Sequence, residues 1–218
     1  MINKAPSDED IQRILGGDAK IIKYSELRHL YDIDQLLTND KDYCIILYED
    51  APNRGHWTAL LKYNGLYEHF DSYGVKPDTE LKWISAKRNR MLNQDEPYLT
   101  QLLEKEEEKY IYNNVAYQNK DSRVNTCGSH VVHRLYRLKN NDMSLPDYYH
   151  YMKSIKDQTS VGYDLIVAEF VNKWLYSVLL IDSSPLSIKR KLGDGLHKEF
   201  AVSQRIGAVS CVHRERCR

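Results

Sequence analysis

The sequence lacks the marks of several large protein classes. Only four cysteines occur in 218 residues, and only the last two lie close together, so we expect no disulfide framework and a reducing compartment. No apolar run approaches the roughly 20 residues that a membrane-spanning helix needs. The N-terminal sequence MINKAPSDEDIQRIL has no apolar segment, so no secretory signal is expected there. These absences favour a globular protein with free thiols.

Net charge is also lacking, because 31 Lys and Arg residues balance 31 Asp and Glu residues. A dedicated nucleic-acid-binding protein is therefore not expected, although neutrality is compatible with a local basic patch. The 42% hydrophobic content is typical of a folded chain and not of a disordered one. The length fits one domain with an extension.

The C-terminal residues differ from the rest in charge. Residues 183–218 contain eight Lys and Arg but three Asp and Glu, a net of +5 that leaves −5 for residues 1–182. We predict a folded domain over residues 1–182 and a basic, poorly ordered extension over residues 183–218, which would contact DNA in a salt-dependent way. Cys211, His213 and Cys217 lie near one another in this extension without a fourth ligand, so we predict no metal site.

The hydrophobic pattern predicts an α+β fold with a small central antiparallel or mixed sheet. Ser7 is placed to cap a first helix that ends at Gly16-Gly17, and Asn64-Gly65 predicts a hairpin turn. The segment Ile14-Leu15-Gly16-Gly17 also fits a hydrophobic-x-Gly-Gly pattern, so self-cleavage after Gly17 is an alternative to a simple helix end. Further helices are predicted over residues 25–31, 81–91, 98–109, 128–138 and 165–179, and strands over residues 43–48, 56–63, 66–71 and 110–117.

Cys127 stands out because it follows a loop and immediately precedes a predicted helix. The helix N-terminus carries partial positive charge and unpaired N–H groups, which favour the thiolate over the thiol and can stabilise an oxyanion. Gly128 would leave room for a substrate main chain. The alternative is a buried, inert cysteine.

A cysteine nucleophile needs a base, and His56 lies at a predicted strand end beside a loop. If the turn at Asn64-Gly65 is tight, His56 and Asp71 lie at the open end of the same hairpin, offset by about one pair. Asp71 could then fix the imidazole tautomer, leaving the other nitrogen to face sulfur. A surface histidine and a turn-forming aspartate are the alternatives. The other histidines to be weighed are His69, His130 and His133.

Gln118 follows the predicted strand 110–117 and precedes Cys127 by nine residues. A glutamine amide can donate a hydrogen bond to a developing oxyanion opposite a backbone N–H group. Gln118 is therefore the candidate side-chain donor, with Asn119 and Asn125 as rivals and an exposed loop residue as the alternative.

These residues form an ordered His, Asp, Gln, Cys series. The motifs are Gly55-His56-Trp57, Phe70-Asp71-Ser72-Tyr73-Gly74, Tyr117-Gln118 and Thr126-Cys127-Gly128. Over about residues 40–140 the chain resembles the adenain-like and SUMO-protease superfamily of cysteine peptidases, in particular maturation proteases of large DNA viruses and virophages. The resemblance implies a papain-like fold that is circularly rearranged, with His before Cys and with helices flanking the sheet.

By this resemblance Cys127 is the nucleophile, His56 the general base, Asp71 the orienting acid and Gln118 the oxyanion donor. Trp57 would line a narrow groove that admits small residues, since such enzymes usually cut after Gly-Gly or Gly-X. No cysteine lies between Asp71 and Cys127, so the cysteine-linked peptide activation of adenovirus proteases is not expected, and no cofactor is predicted.

The sequence thus leads to three hypotheses about function. The first is a monomeric thiol endopeptidase that processes viral capsid and structural precursors in the virion and the infected cell, without a membrane partner. The second is an isopeptidase that removes a ubiquitin-like protein with the same site. The third is a non-catalytic virion scaffold whose basic extension holds nucleic acid.

Overall fold

A computed structural model describes residues 5–17, 19–105, 110–121 and 123–182. The predictions made for residues 183–218, namely the poorly ordered extension, its DNA contact and the cluster of Cys211, His213 and Cys217, lie outside the described residues.

The described residues form an α+β fold, as the sequence predicts. The α-helices are α1 (Asp8–Leu15), α2 (Ala86–Met91), α3 (Tyr98–Glu104), α4 (Cys127–Asn141), α5 (Leu145–Thr159) and α6 (Tyr163–Asp182). The strands are β1 (Lys20–Lys23), β2 (Tyr43–Ala51), β3 (Arg54–Tyr63), β4 (Leu66–Phe70) and β5 (Ile111–Tyr112). Short 3₁₀ helices cover Tyr24–His29, Ile33–Gln35 and Glu80–Trp83.

The strands form one five-stranded sheet in the order β1-β2-β3-β4-β5. The inner pairs β2–β3 and β3–β4 are antiparallel, whereas β1 and β5 run parallel to their neighbours. The sheet is therefore mixed. One face carries a buried cluster built from the sheet, the first 3₁₀ helix and α3. On the other face β4 is joined to α4, so helices flank the sheet as predicted.

The β3–β4 hairpin has the predicted tight turn. Asn64 and Gly65 both have positive φ angles, 51° and 78°, as a type I′ turn requires, and the pair Tyr63–Leu66 closes it. The register runs to the pair Ala59–Phe70, and one more step would put Asp71 opposite Thr58. Asp71 is thus offset from His56 by two residues, which leaves both side chains on the same face of the hairpin.

Helix α1 begins and ends where its sequence predicts. Ser7 Oγ accepts a hydrogen bond from Asp10 N while Ser7 N donates to Asp10 Oδ2, which is a reciprocal capping box. Gly16 ends the helix with φ 90°, so the interpretation of Gly16-Gly17 as a helix end is confirmed. Self-cleavage after Gly17 stays a prediction.

Helix α4 is fixed to the sheet by a buried ion pair. The guanidinium of Arg134 donates to both carboxylate oxygens of Glu68, over 2.8 Å and 2.7 Å, and a third hydrogen bond runs from Nη1 to the carbonyl oxygen of Met143 over 2.9 Å. The side chains of Glu68 and Arg134 are at most 2% exposed. This pair joins β4, which leads to Asp71, to the helix that begins at Cys127.

Three expectations about local structure are wrong or incomplete. The predicted helix over 81–91 is divided at Ser85, whose side chain caps α2. The predicted helix over 25–31 is a 3₁₀ helix over Tyr24–His29, where the backbone N of Lys23 donates to Glu26 Oε1. The predicted strand over 110–117 is regular only at β5, because the segment beyond it bonds instead to the loop after β4: the N–H groups of Tyr117 and Gln118 donate to Ser72 O. Strand β1 and helix α5 were not predicted.

The chain divides into two units, Met1–Asn172 and Lys173–Arg218, of which only the described residues are considered. The first unit contains the sheet, helices α1 to α5 and the start of α6. Of the second unit, the described residues are helical from Lys173 to Asp182. None of the helices in the described part of the chain has the length and apolar character of a membrane span.

Candidate active site

His56 and Asp71 form a short hydrogen bond at the open end of the hairpin. The distance between His56 Nε2 and Asp71 Oδ2 is 2.6 Å, and the Asp71 side chain is completely buried. The second oxygen of Asp71 accepts from the backbone N of Tyr73 over 2.5 Å, and Asn113 Nδ2 donates to the Asp71 carbonyl oxygen over 2.6 Å. These hydrogen bonds fix both the carboxylate and the backbone of Asp71, so Asp71 orients the imidazole of His56.

Cys127 is the first residue of α4 and is 3% exposed. The preceding Thr126 does not cap the helix; its hydroxyl donates instead to the carboxylate of Asp164. Hydrogen bonds from the backbone of Trp57 and Gly128 help to lower the pKa of the Cys127 thiol. The uncapped helix N-terminus is thus turned toward sulfur, an arrangement that favours a thiolate.

Cys127 and His56 influence each other's ionisation. Burial opposes a thiolate at Cys127, but the hydrogen bond and charge of His56 outweigh it, and the pKa of Cys127 lies below its ordinary value. Burial likewise opposes a charged imidazole, but Asp71 and then Cys127 hold the pKa of His56 well above its ordinary value. Because Nε2 of His56 is engaged by Asp71, the nitrogen that faces sulfur is Nδ1. The arrangement favours a thiolate–imidazolium ion pair.

Gln118 lies beside this pair and is 4% exposed. Its Oε1 accepts from Ser72 Oγ over 2.7 Å, and its Nε2 donates to Val124 O over 3.2 Å. An amide nitrogen has two hydrogens, so the second remains for a ligand. Of the rival amides, Asn125 lies near sulfur, with 3.8 Å between Sγ and Oδ1, whereas Asn119 Oδ1 accepts from Asp121 N in a loop turn.

A cavity of about 370 Å³ brings these groups together. Its size falls within the range of ordinary ligand pockets. Its lining combines three of the predicted site residues with aromatic, acidic and amide side chains: Tyr48, Asp50, Gly55, His56, Tyr73, Glu80, Trp83, Ile84, Gln118, Val124, Asn125 and Cys127. The His56 ring stacks on Tyr73 at 5.0 Å between centroids and meets Trp83 edge-on at 5.8 Å.

Comparison with known proteins gives one curated relative. The chain is 36% identical over 157 residues to uncharacterized protein V9 of Sputnik virophage, and the alignment covers 72% of this chain and 86% of that protein. The chain belongs to the V9 family. The virophage relative indicates a viral context. No family model and no solved structure matches the chain.

In this V9-family chain the predicted substrate-binding residues lie at a covered corner beside the cavity. A Cβ atom on Gly128 would lie 3.1 Å from Cγ of Pro6 and 3.4 Å from Cδ1 of Trp57. The room that Gly128 was expected to leave is therefore occupied in part by Pro6, which is itself buried. Trp57 borders this corner, as a groove wall would.

The other histidines have different roles. Both nitrogens of His69 are buried without a hydrogen bond, and burial lowers the pKa of this side chain to about 4, so it is neutral. His130 Nε2 lies 3.1 Å from Asp164 Oδ1. His133 Nδ1 lies 2.9 Å from the Tyr148 hydroxyl. These three histidines are structural, and His56 is the histidine beside sulfur.

Two acidic residues of the site were missed from the sequence. Glu80 is completely buried and lines the cavity. Asp164, at the start of α6, accepts from Thr126, His130 and the backbone N of Asn119, and thereby holds the loop before Cys127. Glu80 and Asp164 are ordinary acidic residues in unremarkable sequence surroundings, so no local pattern could have found them.

Donor atoms of His56, Asp71 and Glu80 lie within 4.8 Å of one another. Two ligands of a tetrahedral zinc ion, each 2.0–2.1 Å from the metal, stand about 3.3 Å apart. The 2.6 Å separation between His56 and Asp71 is that of a hydrogen bond instead. His56 and Asp71 are therefore a hydrogen-bonded pair, and Glu80 is a buried carboxyl group near them.

Proposed function

We propose that this chain is a cysteine endopeptidase that cleaves viral structural precursors after glycine, with the papain-like site arrangement in which His precedes Cys. The observation that carries the proposal is the contact of His56 with Asp71 at 2.6 Å next to a cysteine at a helix N-terminus. A buried cysteine with a purely structural role needs neither a paired histidine nor a helix N-terminus beside it. Cys44 illustrates the contrast, because burial raises the pKa of its thiol to about 12.

The arrangement supports a two-step hydrolysis. The Cys127 thiolate attacks the scissile carbonyl carbon, and the imidazolium of His56 gives its Nδ1 proton to the leaving amine. A thioester with Cys127 remains. His56, now neutral, takes a proton from water as the water attacks the thioester, and the thiolate leaves as the carboxylic acid product is released. Asp71 keeps the imidazole oriented through both steps.

The oxyanion of each tetrahedral intermediate needs hydrogen-bond donors. The backbone N–H groups at the start of α4 supply one side, since the first intrahelical bond there runs from His130 N to Thr126 O. The free amide hydrogen of Gln118 supplies the other. Asn125 lies near sulfur with its oxygen, and not its N–H groups, turned toward Sγ, which favours Gln118 as the donor.

The resemblance to adenain-like peptidases implies the proposed specificity for glycine, and the crowded corner beside the nucleophile supports it. Trp57 and Pro6 both stand against Gly128, so a substrate chain that approaches from this side meets little free space. Residues without a side chain fit best. The viral context of the V9 family makes structural precursors in the virion and the infected cell the proposed substrates.

The test is cleavage-site mapping by mass spectrometry on virion proteins and on peptides with Gly-Gly-X and Gly-X junctions. We expect cuts after glycine by the wild-type protein and by Cys44→Ala, and none by Cys127→Ala. The Cys44→Ala variant is the matched control, because it also removes a buried thiol.

Two outcomes would favour one of the other hypotheses about function. If ubiquitin-like conjugates are cut at the isopeptide bond while precursor peptides remain intact, the chain is a deconjugating isopeptidase. If neither is cut and a thiol-reactive peptide labels Cys127 no faster than free cysteine at neutral pH, the chain is not a thiol enzyme and the scaffold hypothesis stands.

A further inference from the structure

Glu80 is a buried carboxyl group close to the pair formed by His56 and Asp71. Its side chain is completely inaccessible to solvent, and its donor atom lies within 4.8 Å of those of His56 and Asp71. Neither carboxyl oxygen of Glu80 has a standard hydrogen-bond partner among the described residues. The ion pairs formed by Lys and Arg in the described part of the chain do not include Glu80 either.

The surroundings of Glu80 disfavour its ionised form. The titratable groups that face it are Asp71 from the loop after β4, His56 from β3 and Tyr48 from β2. Asp71 would carry the same charge as an ionised Glu80, and the single positive charge of His56 already faces two negative charges, those of Asp71 and the Cys127 thiolate. An unpaired buried carboxylate costs several kcal/mol, so such a group keeps its proton instead.

We propose that Glu80 is a positioning residue that retains its proton at neutral pH and donates it to the carboxylate of Asp71. Asp71 has room for this donor: His56 uses one oxygen and the backbone N of Tyr73 the other, and each carboxylate oxygen accepts more than one hydrogen bond. Glu80 thereby keeps Asp71 ionised and aimed at His56. The importance of this contact for catalysis rests on the proposed peptidase function.

The directions of the pKa shifts agree with this geometry. Burial, and then the charge of Asp71, raise the pKa of Glu80 well above its ordinary value. Burial would also raise the pKa of Asp71, but His56 and then Glu80 hold it below its ordinary value. One carboxyl group of the pair stays protonated while the other stays ionised, as expected for two acids that share a site.

The first experiment uses Glu80→Gln, which keeps a donor and the side-chain shape but cannot ionise. The imidazole of His56 is titrated by NMR in the full chain. If Glu80 is protonated in the wild-type protein, the His56 titration is the same in both proteins. A shift of the titration to lower pH in Glu80→Gln would overturn the proposal, because it would mean that the substitution removed a negative charge.

The second experiment compares infrared spectra of the wild-type protein and Glu80→Gln in D₂O at neutral pH. We expect the carbonyl band of a protonated carboxyl group in the wild-type spectrum and its loss in the variant; if the difference between the two spectra contains no such band, the proposal is overturned. The NMR titration and the infrared comparison require no substrate, and both can be repeated in the Cys127→Ala background. They therefore test Glu80 even if the chain cleaves nothing.

The third experiment separates positioning from packing. Glu80→Met removes the donor, so the rate of Cys127 alkylation at neutral pH should fall about tenfold, whereas Glu80→Gln should keep it within about twofold. Equal rates in the two variants would assign Glu80 to packing alone. If Glu80→Met does not fold, the two measurements on Glu80→Gln decide the question.

Discussion

The buried pair between Glu68 and Arg134 gives a prediction with a defined size. In Glu68→Gln the guanidinium of Arg134 stays buried but loses its counter-charge and one of two charged hydrogen bonds. Breaking a buried pair on one side costs about 3–5 kcal/mol. For a protein of this length, roughly 2–4 °C are lost per kcal/mol, so we expect the melting temperature to fall by about 6–20 °C.

The measurement is urea unfolding at neutral pH together with a thermal scan. Asp157→Asn is the matched control, because it breaks the pair between Lys153 and Asp157, whose side chains are 50% and 60% exposed; such a pair contributes at most about 1 kcal/mol. The double variant Glu68→Leu/Arg134→Met should regain most of the loss, since apolar residues can replace a buried ion pair. The reasoning is refuted if Glu68→Gln costs no more than Asp157→Asn.

Three further predictions concern the candidate site and its support. In His56→Ala the Cys127 thiol loses its partner, so the rate of its alkylation by iodoacetamide should rise about tenfold per pH unit up to about pH 8.5. The wild-type rate should level off at lower pH. Identical pH profiles in the two proteins would contradict the ion pair. Gln118→Ala should lower kcat about 10²–10³-fold in peptide cleavage with little change in KM, and an effect on KM alone would remove the oxyanion role. Gly55→Ala places a Cβ 1.8 Å from a carbonyl oxygen of β2, so the free energy of unfolding measured in urea should fall by about 1–3 kcal/mol. The control is Gly162→Ala, whose added Cβ meets nothing within 4 Å. Equal unfolding midpoints in the two variants would argue against the clash.

Local signals in the sequence were sufficient for the parts of the fold that depend on neighbours along the chain. The turn at Asn64-Gly65 and the caps at Ser7 and Gly16 each need only a few adjacent residues, and all three lie where they were predicted. The hairpin then brings His56 near Asp71 through strand register alone. This is why that contact could be anticipated from the spacing of the two residues around the turn.

The features that depend on distant partners could not be predicted in the same way. The segment from Asn113 to Gln118 follows the loop after β4 instead of forming a strand, because its backbone bonds go to Ser72 and its neighbours. Strand β1 has only four residues, and its place is set by parallel pairing with β2. Glu80 and Asp164 belong to the site only through folding, so their roles leave no mark in the local sequence.

The contact of Pro6 with Gly128 connects the segment ahead of α1 to the candidate nucleophile. Pro6 lies against the residue that directly follows Cys127, although the two are far apart in the sequence. A change of backbone ahead of α1 therefore reaches the start of α4 through one packed proline. A substitution in that segment that alters the reactivity of Cys127 would report on this contact.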